Sequence, residues 1–461
     1  MAKRVPNKAM QELLNETDWT HRQLALTVNR IGTERGTPTN YHRQSVAHWL
    51  HGHVPMEETR PLIREAFARG LGRPVTYAEL GLVPPKGEPN DCADIVEGLV
   101  DLAGRDMHPS RRGVLSASLY PAALAIPAWD DIAGRMDTVK TGRTRRIGLP
   151  DVDAVLDVTK RVSDMDDERG GRYARPWAAH VLVEMVAPCL RAEAPDHVRK
   201  AMFSAAADLC YRTGYMAWDE RLHGLAAQYY VKALELSAAA EDRLMHCATL
   251  RTMSFQAVDL GQGPRAMWLA DAAATLLPEE TDPRMRAFVA GQRAHAAAQI
   301  GDRRSAAKYV NEAETALGKA GPQEKRFGSY YHSSHMYVVS HVQHFAGNTR
   351  KSAESLEESN RLRRSRSLNR NQVLNGFLLA ERHFSVGFLE EACGTWDRAL
   401  DSYRTIQSGR GDERVLTMLS LISPYTRNHT AAALYERART VIQPALWSRH
   451  REAARRPGPR R

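Results

Sequence analysis

The second half of this chain carries an internal repeat, and no other feature of the sequence restricts the fold as strongly. Small and apolar residues recur at offsets of five, six, nine and twelve from five start positions, which lie 40, 40, 46 and 40 residues apart. A repeat of this length predicts stacked helical hairpins, because each hairpin exposes an apolar face until its neighbour covers it. The start positions are Arg221, Gly261, Gly301, Gly347 and Gly387.

The repeated small residues predict close packing within each hairpin. We expect them on the second helix, where a small side chain lets the paired helix approach, and we expect the start residue, mostly glycine, to make the turn. The pattern resembles tetratricopeptide (TPR) repeats, although its spacing exceeds the roughly 34 residues usual there. The repeated residues are Ala226, Ala227, Tyr230, Ala233, Ala266, Met267, Ala270, Ala273, Ala306, Ala307, Val310, Ala313, Ser352, Ala353, Leu356, Ser359, Ala392, Cys393, Trp396 and Ala399.

Short helices separated by tight turns are predicted near the amino terminus. The apolar spacing of Met10 and Leu14 favours a first helix. A second helix is expected to begin near His21, because Thr20 and Gln23 have the spacing of a capping box, in which each side chain bonds the backbone of the other.

Two further helices are predicted in this region. The segment 44–50 places Val46 and Trp49 on one face, and Gly52 supplies a left-handed stop. The segment 59–69 forms a further amphipathic helix, which we expect to end at Gly70 and Gly72.

The pattern Trp19-Thr20-x-x-Gln23-Leu24-Ala25, followed by Ser45-Val46-x-x-Trp49-Leu50-x-Gly52, resembles the lambda-repressor-like (XRE) helix-turn-helix family. The resemblance implies that the helix beginning near Ser45 enters the DNA major groove and that the second helix meets phosphate at its amino terminus. Arginine can pair with guanine and glutamine with adenine, so the residue types suit base recognition. The resemblance assigns Arg43, Gln44, Ser45 and His48, with the adjoining His42, to the bases, and Thr20, His21, Arg22 and Gln23 to phosphate.

One departure from that family is the link between the second and third helices. Residues 29–41 are expected to form a loop that is longer than the family's turn of a few residues and that contains Arg30, Arg35 and Gly36. Its length leaves the angle of the third helix in the groove open.

The two regions together resemble the actinobacterial family of helix-turn-helix plus TPR regulators that includes a negative regulator of sporulation and antibiotic production. The segments Arg43-Gln44-Ser45-Val46-Ala47-His48-Trp49-Leu50 and Gly214-Tyr215-Met216-Ala217-Trp218-Asp219-Glu220 carry this resemblance. It implies transcriptional control of development or secondary metabolism.

No alternating strand pattern is evident elsewhere, so we expect an all-α fold, with an N-terminal helix-turn-helix domain followed by a TPR-like α-solenoid. Lead-in helices are predicted at 91–105, 152–165, 177–191 and 197–215, and capping helices after Ile406. The Pro- and Gly-containing stretch 84–89 marks the end of the first domain. The expected divisions are a DNA-binding domain (1–85), a linker with connecting helices (86–150), a helical lead-in (151–220), the repeats with their caps (221–448) and a basic disordered tail (449–461).

Charge and cysteine content bound the partners and the compartment. The net charge of +10 suits a polyanion, although an arginine-rich composition also follows from a GC-rich genome. Five widely spaced cysteines and the lack of a run of about 18 apolar residues favour a reduced, cytoplasmic, non-membrane protein. Arg111 and Arg112 precede an apolar stretch like that of a twin-arginine export signal, but such signals begin a chain, so we interpret the segment as a connector.

Catalytic and metal-binding signatures are absent from the sequence. It has no Gly-rich phosphate loop, H-E-x-x-H or Gly-x-Ser-x-Gly, so we expect neither an enzyme nor a cofactor. His332, His335, His341 and His344 cannot converge on one ion, because at 100° per residue the two pairs point to different sides of a helix. The basic stretch Arg361, Arg363, Arg364, Arg366 and Arg370 is interpreted as a solvated helix end, with DNA backbone or an acidic peptide as alternatives.

Two functions follow as hypotheses. In the first, a homodimer binds a double-stranded DNA operator, and the repeats bind a peptide, a small molecule or a protein that alters the dimer. In the second, the repeats form an interaction scaffold and the N-terminal domain only mediates protein contacts.

Overall fold

A computed structural model describes residues 6–34, 39–71, 75–83, 94–107, 146–321, 330–363, 369–444 and 446–448. Within these ranges the chain is all-α and contains no β-strand. In the same ranges no helix is both long enough and apolar enough to cross a membrane. The predicted linker at 84–89, the twin-arginine segment, Arg35, Gly36, Arg364, Arg366 and the tail 449–461 lie outside the described residues.

Four helices form a separate N-terminal unit, namely α1 (Lys8–Glu16), α2 (His21–Glu34), α3 (Arg43–Leu50) and α4 (Arg60–Leu71). Their apolar faces share one core, in which Met10, Leu24, Val46, Ile63 and Phe67 are fully buried. The amphipathic spacing of the sequence therefore predicted which faces meet.

The boundaries of two elements differ from the sequence prediction. The expected loop 29–41 is wrong in its first half, because α2 continues to Glu34. Gly70 does not end α4, which runs on to Leu71. A Cβ at Gly70 would lie 2.7 Å from the Trp19 ring, so this glycine permits a close helix contact instead of a turn.

The repeat body begins with α5 (Ile95–Met107), α6 (Leu149–Arg169) and α7 (Gly171–Val181). A π-helical turn (Leu182–Val186) leads into α8 (Ala187–Leu190). Helical hairpins follow, each made of two consecutive helices, and in the first five hairpins the two helices pack along their length. They are α9 (Asp196–Asp219) with α10 (His223–Ala239), α11 (Arg243–Asp259) with α12 (Gly263–Leu276), α13 (Pro283–Gln299) with α14 (Arg303–Gly318), α15 (His332–Phe345) with α16 (Thr349–Arg363), α17 (Asn369–Val386) with α18 (Leu389–Tyr403), and α19 (Gly409–Ile422) with α20 (His429–Val441).

The turns within the first five hairpins fall at the five predicted start positions. All five start residues have a positive φ, from 65° at Arg221 to 96° at Gly387. The next residue bonds back into the helix in each case, as Gln262 N–H does to the Ala257 carbonyl at 2.8 Å. Each first helix therefore ends in the same left-handed cap, which favours glycine because it has no Cβ to clash.

The small repeated residues pack as predicted, with one exception. Ser254 on α11 donates to the Ala266 carbonyl on α12 at 2.7 Å, and Ser340 on α15 donates to the Ser352 carbonyl on α16 at 2.7 Å. These bonds require the closely packed helices that small side chains allow. Ala307 is exposed, and the neighbouring Tyr309 is buried instead.

The last hairpins return to the first helices of the body, and we call this contact the seam. The Gln407 N–H donates to the Arg169 carbonyl at 2.6 Å, and the Arg172 N–H donates to the Gln407 carbonyl at 3.2 Å. Arg410 forms an ion pair with Asp219 at 3.0 Å. Residues about two hundred positions apart are thus joined, so the solenoid closes on itself.

The seam corrects the interpretation of the basic stretch as a solvated helix end. Arg361 is exposed, but Arg370 is 3% exposed and forms an ion pair with Asp166 and, at 3.1 Å, with Asp167. Burial of an arginine requires such carboxylate partners. Arg363 is also largely enclosed, next to Tyr337.

Candidate nucleic-acid interface and inner face of the repeats

One face of α3 is free of the core. Arg43, Gln44 and His48 are exposed, whereas Val46 and Trp49 are buried on the other side of the helix. A turn of 100° per residue places these two sets on opposite faces. The structure therefore brings three of the predicted base-contacting residues together on one outward face.

Ser45 and His42 contribute differently to that face. The Oγ of Ser45 accepts the backbone N–H of His42 at 3.3 Å and so helps to cap α3. Ser45 is half-buried, and His42 is exposed at the start of the helix. The Ser45 hydroxyl therefore caps α3, a role additional to the base contact predicted from the sequence.

The amino terminus of α2 has the predicted capping box. The Thr20 N–H donates to Gln23 Oε1 at 2.8 Å, and the Gln23 N–H donates to Thr20 Oγ at 3.3 Å. Thr20, Arg22 and Gln23 are exposed and His21 is half-buried. The side-chain amide N–H groups of Gln23 donate to no other described residue, so this end of α2 presents donors of the kind that bind phosphate.

Asn29 on α2 fixes the chain that leads into α3. Its Nδ2 donates to the Tyr41 carbonyl at 2.8 Å, and its Oδ1 accepts the Tyr41 N–H at 2.7 Å. The Tyr41 ring contacts Trp49 edge-on at 5.1 Å, and its hydroxyl lies 2.6 Å from that of Thr59. The long link therefore ends in a fixed position relative to both helices.

Two histidines that the sequence interpretation missed extend the outer face of α3. His51 is exposed one turn beyond His48, and its Nδ1 lies 2.6 Å from the Ala47 carbonyl. His53 stacks on His48 with ring centroids 5.0 Å apart. The three- and four-residue spacing from Gln44 and His48 was the available signal for His51.

The first helices of the hairpins place an equivalent side chain on their inner face, six residues before each start position. The Phe255 and His295 rings lie 5.5 Å apart, and the His295 and His341 rings 4.5 Å apart, so successive repeats are in contact through this position. First helices also pack against one another along α11, α13 and α15, which is expected of the concave side of a solenoid. The five residues are Tyr215, Phe255, His295, His341 and Glu381.

Three of these five residues, together with three of their neighbours, form a group of six that we call the inner cluster. Arg251 lies over the Phe288 ring at 3.9 Å and over Phe255 at 5.1 Å. Tyr337 contacts Phe255 at 6.3 Å and His341 at 4.6 Å. The inner cluster comprises Arg251, Phe255, His295, Tyr337, His341 and Arg382.

Arginines inside the body fall into two groups. Burial opposes charge on Arg410 and Arg414, but the pKa of Arg410 is raised by Tyr215 and by its ion pair with Asp219, and the pKa of Arg414 is raised by its ion pair with Glu381. The pKa values of Arg251 and Arg382 are lowered, because burial is the largest effect and is not offset. Among the described residues, neither Arg251 nor Arg382 forms an ion pair with a carboxylate.

The histidines of the inner cluster are enclosed as well. Burial lowers the pKa of His295 to about 3, and it lowers that of His341 well below the usual value. Neither ring nitrogen of His295, which is 2% exposed, has a hydrogen-bond partner among the described residues. Sequence reasoning missed this feature, although one aromatic or ionisable residue per repeat, at one register position, was a usable signal.

The structure shows the four histidines of α15 in different surroundings. His335 lies 3.4 Å from the Tyr330 hydroxyl, and the Nε2 of His344 lies 3.1 Å from an Arg382 nitrogen. His332 is exposed, and His341 faces the inner cluster. They therefore form no common site, as the helical spacing predicted.

A separate trio of ligand-type residues lies at the α16–α17–α18 contact. Ligand atoms of Glu357, His383 and Glu391 lie within 4.8 Å of one another. His383 Nε2 is already 2.9 Å from a Glu357 oxygen, which makes this a pair that joins two helices. We assign no ion to it.

Comparison with known protein families gives a match for the N-terminal unit. The family model for the SP15 N-terminal domain matches residues 10–83, which is the four-helix N-terminal unit. A search of curated proteins gives no match to the chain. The family match thus covers well under half of the chain and includes none of the repeat body.

Proposed function

We propose that the chain is a sequence-specific DNA-binding transcription regulator, in which the N-terminal unit reads an operator and the repeat body senses a ligand. The observation that carries this proposal is the outward face of α3, where Arg43, Gln44 and His48 are exposed together. Arginine and glutamine can each pair with a base edge through two hydrogen bonds. A helix with such a face suits insertion into the wide groove of a duplex.

Rigid support of the outward face of α3 favours sequence-specific DNA binding over non-specific binding. Val46 is fully buried, and the Asn29–Tyr41 bonds hold the chain that enters α3. Because the backbone of the helix is already fixed, binding has to order only the exposed side chains. The donors at the start of α2 would contact the backbone beside the groove and set the register.

The proposal includes a homodimer and regulation of development or secondary metabolism. Two recognition helices of a dimer reach equivalent major-groove sites when they lie roughly 34 Å apart, about one DNA turn. A ligand that changes the shape of the body would alter this separation and hence the affinity for a palindromic operator.

Selection of duplexes from a random pool with the full chain tests the DNA proposal. We expect enrichment of one palindromic sequence, and affinity for it that falls steeply with salt, because phosphate contacts release counterions. Replacement of both residues, Arg43→Ala with Gln44→Ala, should abolish the enrichment, since each base contact contributes about 1–3 kcal/mol of discrimination.

The matched control is Arg161→Ala, which removes one positive charge from an exposed site on α6. This variant should retain the selected sequence and nearly the same affinity. If the wild-type chain selects no sequence, or if the control loses binding as fully as the α3 variant does, the proposal is wrong.

Exposed apolar side chains favour a second candidate, in which the N-terminal unit contacts a protein. Val54 and Met56, which follow α3, are each 68% exposed, and Leu26 on α2 is 57% exposed. Such side chains are characteristic of contact surfaces when they lie close together. Loss of partner capture in Val54→Ser with Met56→Ser, with DNA selection unchanged or absent, would support the scaffold.

A further inference from the structure

The inner cluster has an excess of positive charge that the protein itself does not neutralise. Arg370, Arg410 and Arg414 all have carboxylate partners in the same interior. Arg251 and Arg382 form no ion pair with a carboxylate among the described residues, and the contact of Arg382 with His344 Nε2 at 3.1 Å supplies no negative charge. A buried guanidinium without an anion is unfavourable, so its retention points to an anion supplied from outside.

A second and independent observation is the unmet hydrogen bonding of His295. Its ring is 2% exposed, is held between Phe255 and His341, and has no partner at either nitrogen among the described residues. A buried polar group is usually paired, and exceptions concentrate where a ligand or an ordered water belongs. His295 lies close enough to Arg251 for that charge to lower its pKa.

The inner cluster also borders space that solvent reaches. Arg251, Phe255, Tyr337 and His341 are each partly exposed, although side chains from other helices surround them. The aromatic rings of Phe255 and Tyr337 meet at 82°, and the Arg251 guanidinium lies over the Phe255 ring at 5.1 Å. Cations next to aromatic faces suit a molecule that carries both a negative charge and a flat apolar part.

We propose that the inner cluster binds a small anionic molecule, with a carboxylate or phosphate beside Arg251 and His295, a flat apolar body against Phe255 and Tyr337, and Arg382 adding positive charge on the His341 side of the cluster. The inference rests on the sensor role in the proposed function and names the chemical class that the sensor takes. His295 donates or accepts one hydrogen bond to the bound molecule.

A second concave surface among the described residues does not offer this combination. A surface concavity of about 460 Å³ lies between α9 and the turn before α11. Its charged groups are already paired, with Lys200 3.0 Å from Glu241 and the Ser204 hydroxyl 2.6 Å from Asp242. The inner cluster is therefore the better receptor for an added anion.

Fluorescence titration of the full chain with 8-anilinonaphthalene-1-sulfonate, an anionic aromatic probe, tests the proposal without DNA. N-phenyl-1-naphthylamine, which has a similar ring system but no charge, serves as the neutral comparison. We expect saturable binding of the anionic probe at one site per chain, and at least tenfold weaker binding of the neutral one. Phenyl phosphate and benzoate should displace the anionic probe, and their relative strength distinguishes a phosphate from a carboxylate site.

Two variants and a control locate the site. Arg251→Met and Arg382→Met keep much of the side-chain length and should each weaken the anionic probe at least tenfold while changing the neutral probe less than twofold. Arg304→Met, at an exposed position on α14, should change neither. Near-ultraviolet circular dichroism establishes that each variant is folded.

The ratio of the affinities for the anionic and neutral probes shows whether Arg251 and Arg382 bind the anion or only stabilise the fold. A variant that merely loosens the body would change both probes together, and this outcome would overturn the proposal. So would unchanged binding of the anionic probe in both arginine variants. Because these titrations contain no DNA, failure of operator binding leaves this result intact, and a failed titration leaves the DNA-binding proposal intact.

Discussion

The N-terminal unit carries Arg43 and His48 on its surface, whereas the repeat body buries several of its arginines and histidines. Arg43 and His48 are exposed on α3, but His295 is 2% and Arg382 7% exposed. Charge at an exposed surface acts over a distance and is screened by salt, whereas buried charge acts only on groups that reach it. The comparison favours a long polyanion as the partner of the first region and a small molecule as the partner of the second.

Acidification should produce the largest difference in stability between the two regions. Burial lowers the pKa of His223 and of His246 to about 4, and that of His295 to about 3. Each binds a proton in the unfolded chain below about pH 6.5 but stays neutral in the folded body, so stability is lost as the pH falls from 6.5 towards 4. At pH 5 we expect a loss of about 2 kcal/mol for each histidine.

Urea unfolding at pH 7 and pH 5, followed by pulse-labelling hydrogen exchange, measures this loss in each region separately. His246→Asn should reduce the pH dependence of the body by the contribution of one histidine, about 2 kcal/mol at pH 5. Greater sensitivity to acid in the N-terminal unit would reverse the comparison.

Breaking the seam should destabilise only the body. Arg370→Met leaves Asp166 buried without a partner, and removal of one member of a buried ion pair costs about 3–5 kcal/mol. Burial already raises the pKa of Asp166 to about 6 against the opposing effect of Arg370. The free energy of unfolding of the body, from urea titration, is the measurement.

The double variant Asp166→Asn with Arg370→Met is the matched control for the seam. It removes both charges and should recover most of the stability, because an uncharged pair carries a smaller desolvation penalty. Equal destabilisation in the single and double variants would show that packing, and not charge, holds the seam.

Removal of the α2 cap should weaken only the N-terminal unit. Thr20→Ala removes the hydroxyl that accepts the Gln23 N–H, and loss of such a cap costs about 1 kcal/mol. Thermal unfolding followed by hydrogen exchange in residues 21–34 reports the change. Thr20→Ser keeps the hydroxyl and should behave as the wild type does.

The smallest effect is expected from one phosphate contact. Arg22→Ala removes an exposed cation at the start of α2, and it should weaken all DNA sequences alike. The slope of log affinity against log salt should decrease by about one, as expected for the loss of one contact. A change in the preferred sequence would instead assign Arg22 to base recognition.

Features set by neighbouring residues could be predicted from the sequence. The Thr20–Gln23 capping box and the left-handed turns at the repeat starts follow from chemistry within five residues, and the structure contains both. The amphipathic faces of α1–α4 likewise follow from local spacing. These features determine the all-α class and the exposure of the α3 face.

Features set by the curvature of the whole solenoid could not be predicted. Arg370 was interpreted as solvated because its partner Asp166 lies about two hundred residues earlier in the chain, and the sequence does not state that these positions meet. The inner cluster depends in the same way on how tightly successive hairpins turn. The sequence alone shows only that each repeat carries one aromatic or ionisable residue at the same position.

The seam also has a consequence for synthesis of the chain on the ribosome. The N-terminal unit is complete at residue 83, long before Gln407 and Arg410, which close the body, have been made. Domains of a growing chain fold in order from the amino terminus. A product truncated before residue 407 would therefore retain an intact α3 face on an unclosed body. Under the proposed function, such a product would compete for the operator without responding to the ligand.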